Sequence, residues 1–156
     1  MESYLILKTI HIIAAVLFLG NIIITGWWKI MANRTNNPVI ISFAQRQVTL
    51  TDFIFTAGGS ALLLITGMAN IGIHSISISS TLWVYWALAL FTLSGIIWVA
   101  ILIPLQIKQA REAKTFTPET TISPDYWRRE NLWIIFGIIT TLLPLISISL
   151  MVLKPM

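Results

Sequence analysis

The chain reads as an all-α integral membrane protein, an antiparallel four-helix bundle with both termini on the outer side of the membrane. Three observations predict this. Hydrophobic residues make up 56% of the 156 residues and charged residues only 10%, with a mean hydropathy of +0.84, outside the mixture of a soluble domain. Four apolar runs, near 4–26, 53–73, 82–105 and 132–153, each hold the roughly 20 residues that cross a hydrocarbon core of ~30 Å. The basic residues are segregated. Lys29, Arg34 and Arg46 fall between the first and second runs, and Lys108, Arg111, Lys114, Arg128 and Arg129 between the third and fourth, while Ser75–Thr81 carries no charge. The positive-inside rule places the two basic connections in the cytoplasm and both termini outside.

Each element has its own signals. The first run is preceded by Glu2 and no arginine and is too long for a signal-peptide core, so it reads as a retained span. Asn37-Pro38 predicts an N-cap followed by proline at the first helical position. No breaker occurs between Val39 and Asp52, so the second helix is expected to run from about 38 to 73. The third span continues through Pro104 toward Lys114 with local bending, and Ser123-Pro124-Asp125 opens the fourth. No room is left for a separate soluble domain, so residues 1–156 form one unit. The absence of cysteine excludes disulfides, thiolate metal sites and iron–sulfur clusters. The net charge of +4 reads as topology and not as nucleic-acid binding.

Polar and small side chains mark the face of a membrane helix that meets protein. On the second helix Asp52, Thr56, Ser60, Leu63, Gly67, Asn70 and His74 recur at spacings of four and three, which puts them on one stripe. Ile54, Leu62, Ile65 and Ala69 lie opposite and are expected to face lipid. The His11 face of the first helix adds Lys8, Ala14, Ala15, Phe18 and Thr25. The third helix offers Tyr85, Thr92 and Gly95, and the fourth Gly137, Thr140, Pro144 and Ser147.

His11 is the feature with most functional content. Charged residues in a span cost roughly 2.5–3.5 kcal/mol or more on insertion scales, and a neutral imidazole still needs partners where there is no water. Two readings stay open: a structural hydrogen bond to Asn70, Thr92 or Ser147, or ligation of a metal. Haem iron is the natural metal for imidazole here. The second axial position would fall to His74, which otherwise is an interfacial residue, or to Met68, which otherwise is packing. Gly67 either permits close helix approach or leaves room for a flat macrocycle. Lys8, one turn from His11, could reach a haem propionate as a point charge. Asp52 and Arg46 could pair at the cytoplasmic end. There is no row of carboxylates for a proton pump, no pair of broken spans for a transporter and no nucleophile–base constellation.

Lys8-x-x-His11, Asp52-Phe53 leading to Thr66-Gly67, Trp98-x5-Pro104-x-Gln106-Ile107 and the closing Leu150-Met151-Val152-Leu153-Lys154-Pro155 resemble, from end to end, a bacterial family of integral membrane proteins of unknown function. His11, Phe18 and Gly20 are further similar to the H-x6-W-x-G pattern of the HemJ-type protoporphyrinogen oxidases and CopD-like copper proteins, with Phe18 at the tryptophan position. In the HemJ-type family that first-helix histidine is implicated in binding haem b, and the resemblance implies this role for His11 alone. Two functions follow as expectations. One is a b-type haem-binding bundle in electron transfer or haem handling. The other is a non-catalytic interaction or assembly subunit of a homo-oligomer or larger membrane complex, with the lipid bilayer as its other partner.

Overall fold

A computed structural model describes residues 2–155. Four long helices account for the fold: α1 (Glu2–Arg34), α2 (Pro38–Ile73), α3 (Leu82–Ala113) and α4 (Pro124–Leu153). Each is long and apolar enough to cross a membrane. α1 has 33 residues and at 1.5 Å per residue reaches about 50 Å, well beyond the hydrocarbon core. The expected overhang of the second and third helices is present, and α1 and α4 share it: α1 runs past Gly26 to Arg34, and α4 begins before the span expected at 132. The overhangs pack together at the basic end of the bundle, where Ile41, Ala113 and Tyr126 form a small apolar core backed by Phe116 and Ile122.

The helix starts follow local chemistry. Asn37 Oδ1 accepts hydrogen bonds from the Val39 and Ile40 N–H groups at 3.0 and 3.3 Å, satisfying donors that Pro38 lacks the means to occupy. Ser123 Oγ accepts from the Tyr126 N–H at 3.1 Å and donates to Glu112, itself paired with Arg129. Two stretches widen to π-helix, Asp52–Ala57 in α2 and Trp98–Leu102 in α3. The second lies just before Pro104, whose ring has no N–H and crowds the carbonyl of Ala100; a looser turn accommodates it.

α1 pairs with α2, and α3 with α4. On α2 the expected stripe largely holds: Asp52 and Thr56 are buried, Ser60, Gly67 and Asn70 are half-buried, and Ile54, Leu62 and Ile65 are exposed to the lipid side, whereas Ala69, expected to face lipid, is half-buried and His74, expected inward, is exposed. On α4, Thr140, Pro144 and Ser147 are buried as expected. The stripe read on the third helix is corrected. Tyr85, Thr92 and Gly95 are exposed, and Val84, Ala87 and Ser94 face α4 instead.

The reason is a proline. Pro144 has no N–H to give the carbonyl of Thr140, four residues earlier. Ser94 Oγ donates to that carbonyl at 2.8 Å, and two turns along Ser147 Oγ donates to the Ala87 carbonyl at 2.9 Å. The serines act as rungs between α3 and α4, and Ser94 satisfies a backbone carbonyl that lipid cannot. Ser94→Ala is therefore expected to destabilise the bundle by about 1–3 kcal/mol, the cost of an orphaned buried acceptor. In a Pro144→Ala background the helix supplies its own donor, and the same substitution should cost much less. Thermal unfolding of the four proteins in detergent measures the difference, and equal losses in both backgrounds would refute the compensation.

Candidate functional site

α1 and α2 meet along an antiparallel ladder that runs from the terminal end of the bundle to its basic end. The Tyr4 and His74 rings meet edge to face at a 4.5 Å centroid distance. His11 Nδ1 lies 2.8 Å from Thr66 Oγ1. Next, Gly59 touches Phe18 so closely that a Cβ there would sit 3.0 Å from Phe18 Cβ. Finally Asn21 Nδ2 donates to Asp52 Oδ1 and Thr56 Oγ1, both at 3.0 Å, and Thr56 Oγ1 donates to Asp52 Oδ1 at 3.0 Å. The π-helical turn carries both Asp52 and Thr56 to face α1.

The ladder fixes the state of His11. Thr66 Oγ1 donates its single proton to the Leu62 carbonyl at 2.6 Å. The network thus assigns the His11 proton to Nδ1, which donates to the threonine oxygen and leaves Nε2 as a lone-pair acceptor. Gly67 presses on the other side of the ring: a Cβ there would lie 3.3 Å from His11 Cε1. So His11 and Gly67 come together, and the histidine's partner is Thr66, not Asn70, Thr92 or Ser147. Asn70 sits one turn away, donating to the Thr66 carbonyl at 2.9 Å with its own Oδ1 buried and unpartnered.

The other residues singled out from sequence do not converge on His11. His74 is exposed, with Nδ1 2.9 Å from the Asn70 carbonyl, and aligns with Tyr4. Tyr4 stands seven residues from His11, or about 10 Å along the helix. Met68 is 49% exposed on the lipid side. Lys8 is exposed with its ammonium 5.8 Å from the Tyr4 ring centroid. The structure supplies one histidine nitrogen and no second axial donor beside it, and no group of three or more metal-ligating side chains occurs among the described residues.

A second, denser cluster lies toward the basic end. Lys29 and Glu130 are each 1% exposed and form an ion pair at 3.1 Å. Both oxygens of Glu130 are hydrogen-bonded, while Asn33 Oδ1 is buried without a partner. Gln109 Oε1 accepts from Lys29 Nζ at 3.3 Å while its Nε2 donates to Glu130 Oε2 at 2.5 Å, and Asn33 Nδ2 donates to Glu130 Oε1 at 2.7 Å. The Lys29 ammonium also lies 3.8 Å from the centroid of the Trp133 ring, and the Trp133 indole N–H donates to Gln106 Oε1 at 3.1 Å. Lys29 was expected in a connection and is instead a buried helical residue. Arg46 is exposed and makes no ion pair with Asp52, whose hydrogen-bond partners are Asn21, Thr56 and Gln106. Lys29, Glu130, Gln109 and Asn21 are the residues that sequence reasoning missed. The signal was present: Phe18, Asn21, Thr25, Lys29 and Ala32 continue the His11 stripe at spacings of three and four.

Between α1 and α4 the bundle opens into a lateral cleft of about 320 Å³. Apolar side chains such as Ile22 and Ile134 form its walls, Trp98 and Leu102 close its back, and Asp52 lies on its floor. Both π-helical stretches thus contribute to one cavity, and π-bulges recur at functional sites. A larger depression beside Asn33, Arg34 and Trp127 lies at the tip of the basic end.

The model of a family described as predicted integral membrane protein (DUF2269) matches residues 5–155. The chain belongs to that family. No curated protein and no solved structure matches it. DUF2269 membership agrees with the four spans and carries no activity with it, so function rests on the site. Within this DUF2269 chain the cleft and the His11–Thr66 contact are separate places, one in each half of the bundle.

Proposed function

We propose that the protein binds a small membrane-soluble molecule in the cleft between α1 and α4. The observation that carries this reading is Asp52: a carboxylate only 6% exposed, on the floor of an apolar cavity open to the bilayer. Pockets of this kind, apolar with a few fixed polar groups, are where small ligands bind. Asn21 and Thr56 hold the carboxylate through Oδ1, so its direction is set before a ligand arrives. The basic connections then lie in the cytoplasm, the termini outside, and the cleft in the cytoplasmic half of a bacterial inner membrane.

A long-chain alcohol bearing a photoactivatable diazirine tests the reading. Cross-links are expected on Ile22, Ile134 and Trp98, and Gly137→Leu, which fills the cleft, is expected to remove them. Label spread evenly over lipid-facing residues such as Ile54, Ile65 and Val99 would refute it.

A second reading is favoured by the state of His11. Metal-ligating histidines donate the distal ring N–H to a fixed acceptor and ligate through the other nitrogen. The Thr66 contact supplies that arrangement, and the likeness at His11 and Gly20 to the HemJ-type pattern names haem b as the group. Haem would supply a one-electron redox centre; His11 Nε2 would hold it, with Thr66 orienting the ring. His74 and Met68 do not complete the site in this conformation. Protein expressed with haem supplied is expected to show a Soret band that His11→Ala abolishes. Thr66→Val should weaken haem retention by about 10–100-fold. A colourless wild type would refute this reading, and failure of both tests would leave the interaction-subunit role.

A further inference from the structure

The charge count around the cleft is unbalanced. Among the described residues the buried charged side chains are Lys29, Asp52 and Glu130. Lys29 and Glu130 neutralise each other at 3.1 Å and fill each other's hydrogen-bonding capacity through Gln109. Asp52 has no basic residue within ion-pair distance among the described residues: Lys29 acts on it only through space and is already paired with Glu130, and its hydrogen-bond partners, Asn21, Thr56 and Gln106, are all neutral. Ionised, it leaves one net negative charge at the floor of an apolar cavity. An isolated carboxylate in such a place is costly until a proton or a cation balances it.

The walls favour the cation. Trp27, Trp98 and Trp133 all line the cleft, and the electron-rich face of an indole attracts ammonium groups more than any other side-chain ring. The protein already uses this chemistry, because the Lys29 ammonium rests 3.8 Å from the centroid of the Trp133 ring. Apart from Thr25, Thr140 and Thr141 the rest of the lining is isoleucine, leucine and glycine, which suits an alkyl body. A volume of about 320 Å³ admits a small head group with the first part of a chain, not a large folded molecule.

We infer that the ligand of the α1–α4 cleft is a cationic amphiphile, a protonated or quaternary amine on an apolar body, whose charge is met by Asp52 and the tryptophans around it. This rests on the cleft reading above and adds the sign of the ligand's charge. Asp52 is then the residue that selects, and Asn21 and Thr56 are the residues that position it.

The test compares two probes of one shape: a diazirine-bearing alkyl trimethylammonium and its neutral tert-butyl analogue, cross-linked to the full-length protein in detergent and in vesicles. In the wild type the cation is expected to label the cleft at about tenfold lower concentration than the neutral probe, equivalent to about 1.4 kcal/mol. Asp52→Asn keeps an oxygen for Asn21 and Thr56 and should bring labelling by the cation down to the level of the neutral probe in the same variant. Equal labelling of the cleft by both probes in the wild type would overturn the charge inference while the cleft reading stands. Absence of cleft labelling by either would overturn both. A preference that survives Asp52→Asn would also overturn it. The wild-type comparison decides the matter even if the variant fails to fold.

Discussion

Lys29→Met is expected to cost about 3–5 kcal/mol of stability, because it leaves the Glu130 carboxylate buried without its counter-charge. Glu130 is 1% exposed. Its remaining donors, Gln109 and Asn33, are neutral. The loss should reach beyond the basic end, since Lys29 also lies over Trp133, and Trp133 packs with Val48 and Leu102 between α2, α3 and α4. The double variant Lys29→Met/Glu130→Gln removes both charges and should recover most of the loss, because replacing a whole buried pair is far cheaper than breaking it. Thermal unfolding in detergent, arranged as a double-mutant cycle, reads the coupling directly. A single variant as stable as the wild type, or a double variant whose losses simply add, would show that the pair does not bear on stability.

This pair also shows how far the sequence could be read. The four helices, the Asn37 and Ser123 caps, the course of α2 from Pro38 to Ile73 and the inward stripe of α4 were legible because they depend on local rules: proline position, cap chemistry and periodicity. Lys29 and Glu130 were not found, because a charge beyond an apolar run reads as the edge of the membrane and as a topology signal. Here the helices continue past that edge and pack on one another, so the same charge becomes part of a protein interior. The stripes of α1 and α4, followed without stopping at the apolar boundary, lead to both residues. Tyr85 and Thr92 were misread for a different reason. On a helix rich in apolar residues, the inward position is set by what the partner needs, and α4 needs a donor opposite the carbonyl that Pro144 leaves open. That demand is invisible from α3 alone. For the site, His11 and Gly67 were legible as neighbours. Thr66 was not, although it holds the ring, because the stripe was drawn through Leu63 and Gly67, and the buried positions are Gly59 and Thr66.

Gly59 gives the second large effect, and Gly58 beside it provides the control. A Cβ on Gly59 would lie 3.0 Å from Phe18 Cβ, 3.3 Å from its Cα and 3.4 Å from its N, whereas one on Gly58 would meet nothing within 4 Å. The atoms it would strike belong to the backbone and root of α1, which cannot swing aside as the tip of a side chain can. Phe18 is itself held in place, buried and packed on Phe91 with ring centroids 5.7 Å apart. Gly59→Ala is therefore expected to cost about 1–3 kcal/mol by overpacking, and Gly59→Leu more, while Gly58→Ala should be neutral. The strain has one outlet, a shift of α1 away from α2. Asn21, one turn beyond Phe18 on α1, would then move off Asp52, and the carboxylate would lose one of the donors that aim it. Gly59→Ala should for that reason weaken photolabelling of the cleft as well as stability, whereas Gly67→Ala, which meets only the tip of the His11 ring at 3.3 Å, should disturb the His11–Thr66 contact and spare the cleft. Equal behaviour of Gly58→Ala and Gly59→Ala in unfolding and labelling would mean that close approach at Phe18 does not set the spacing of α1 and α2.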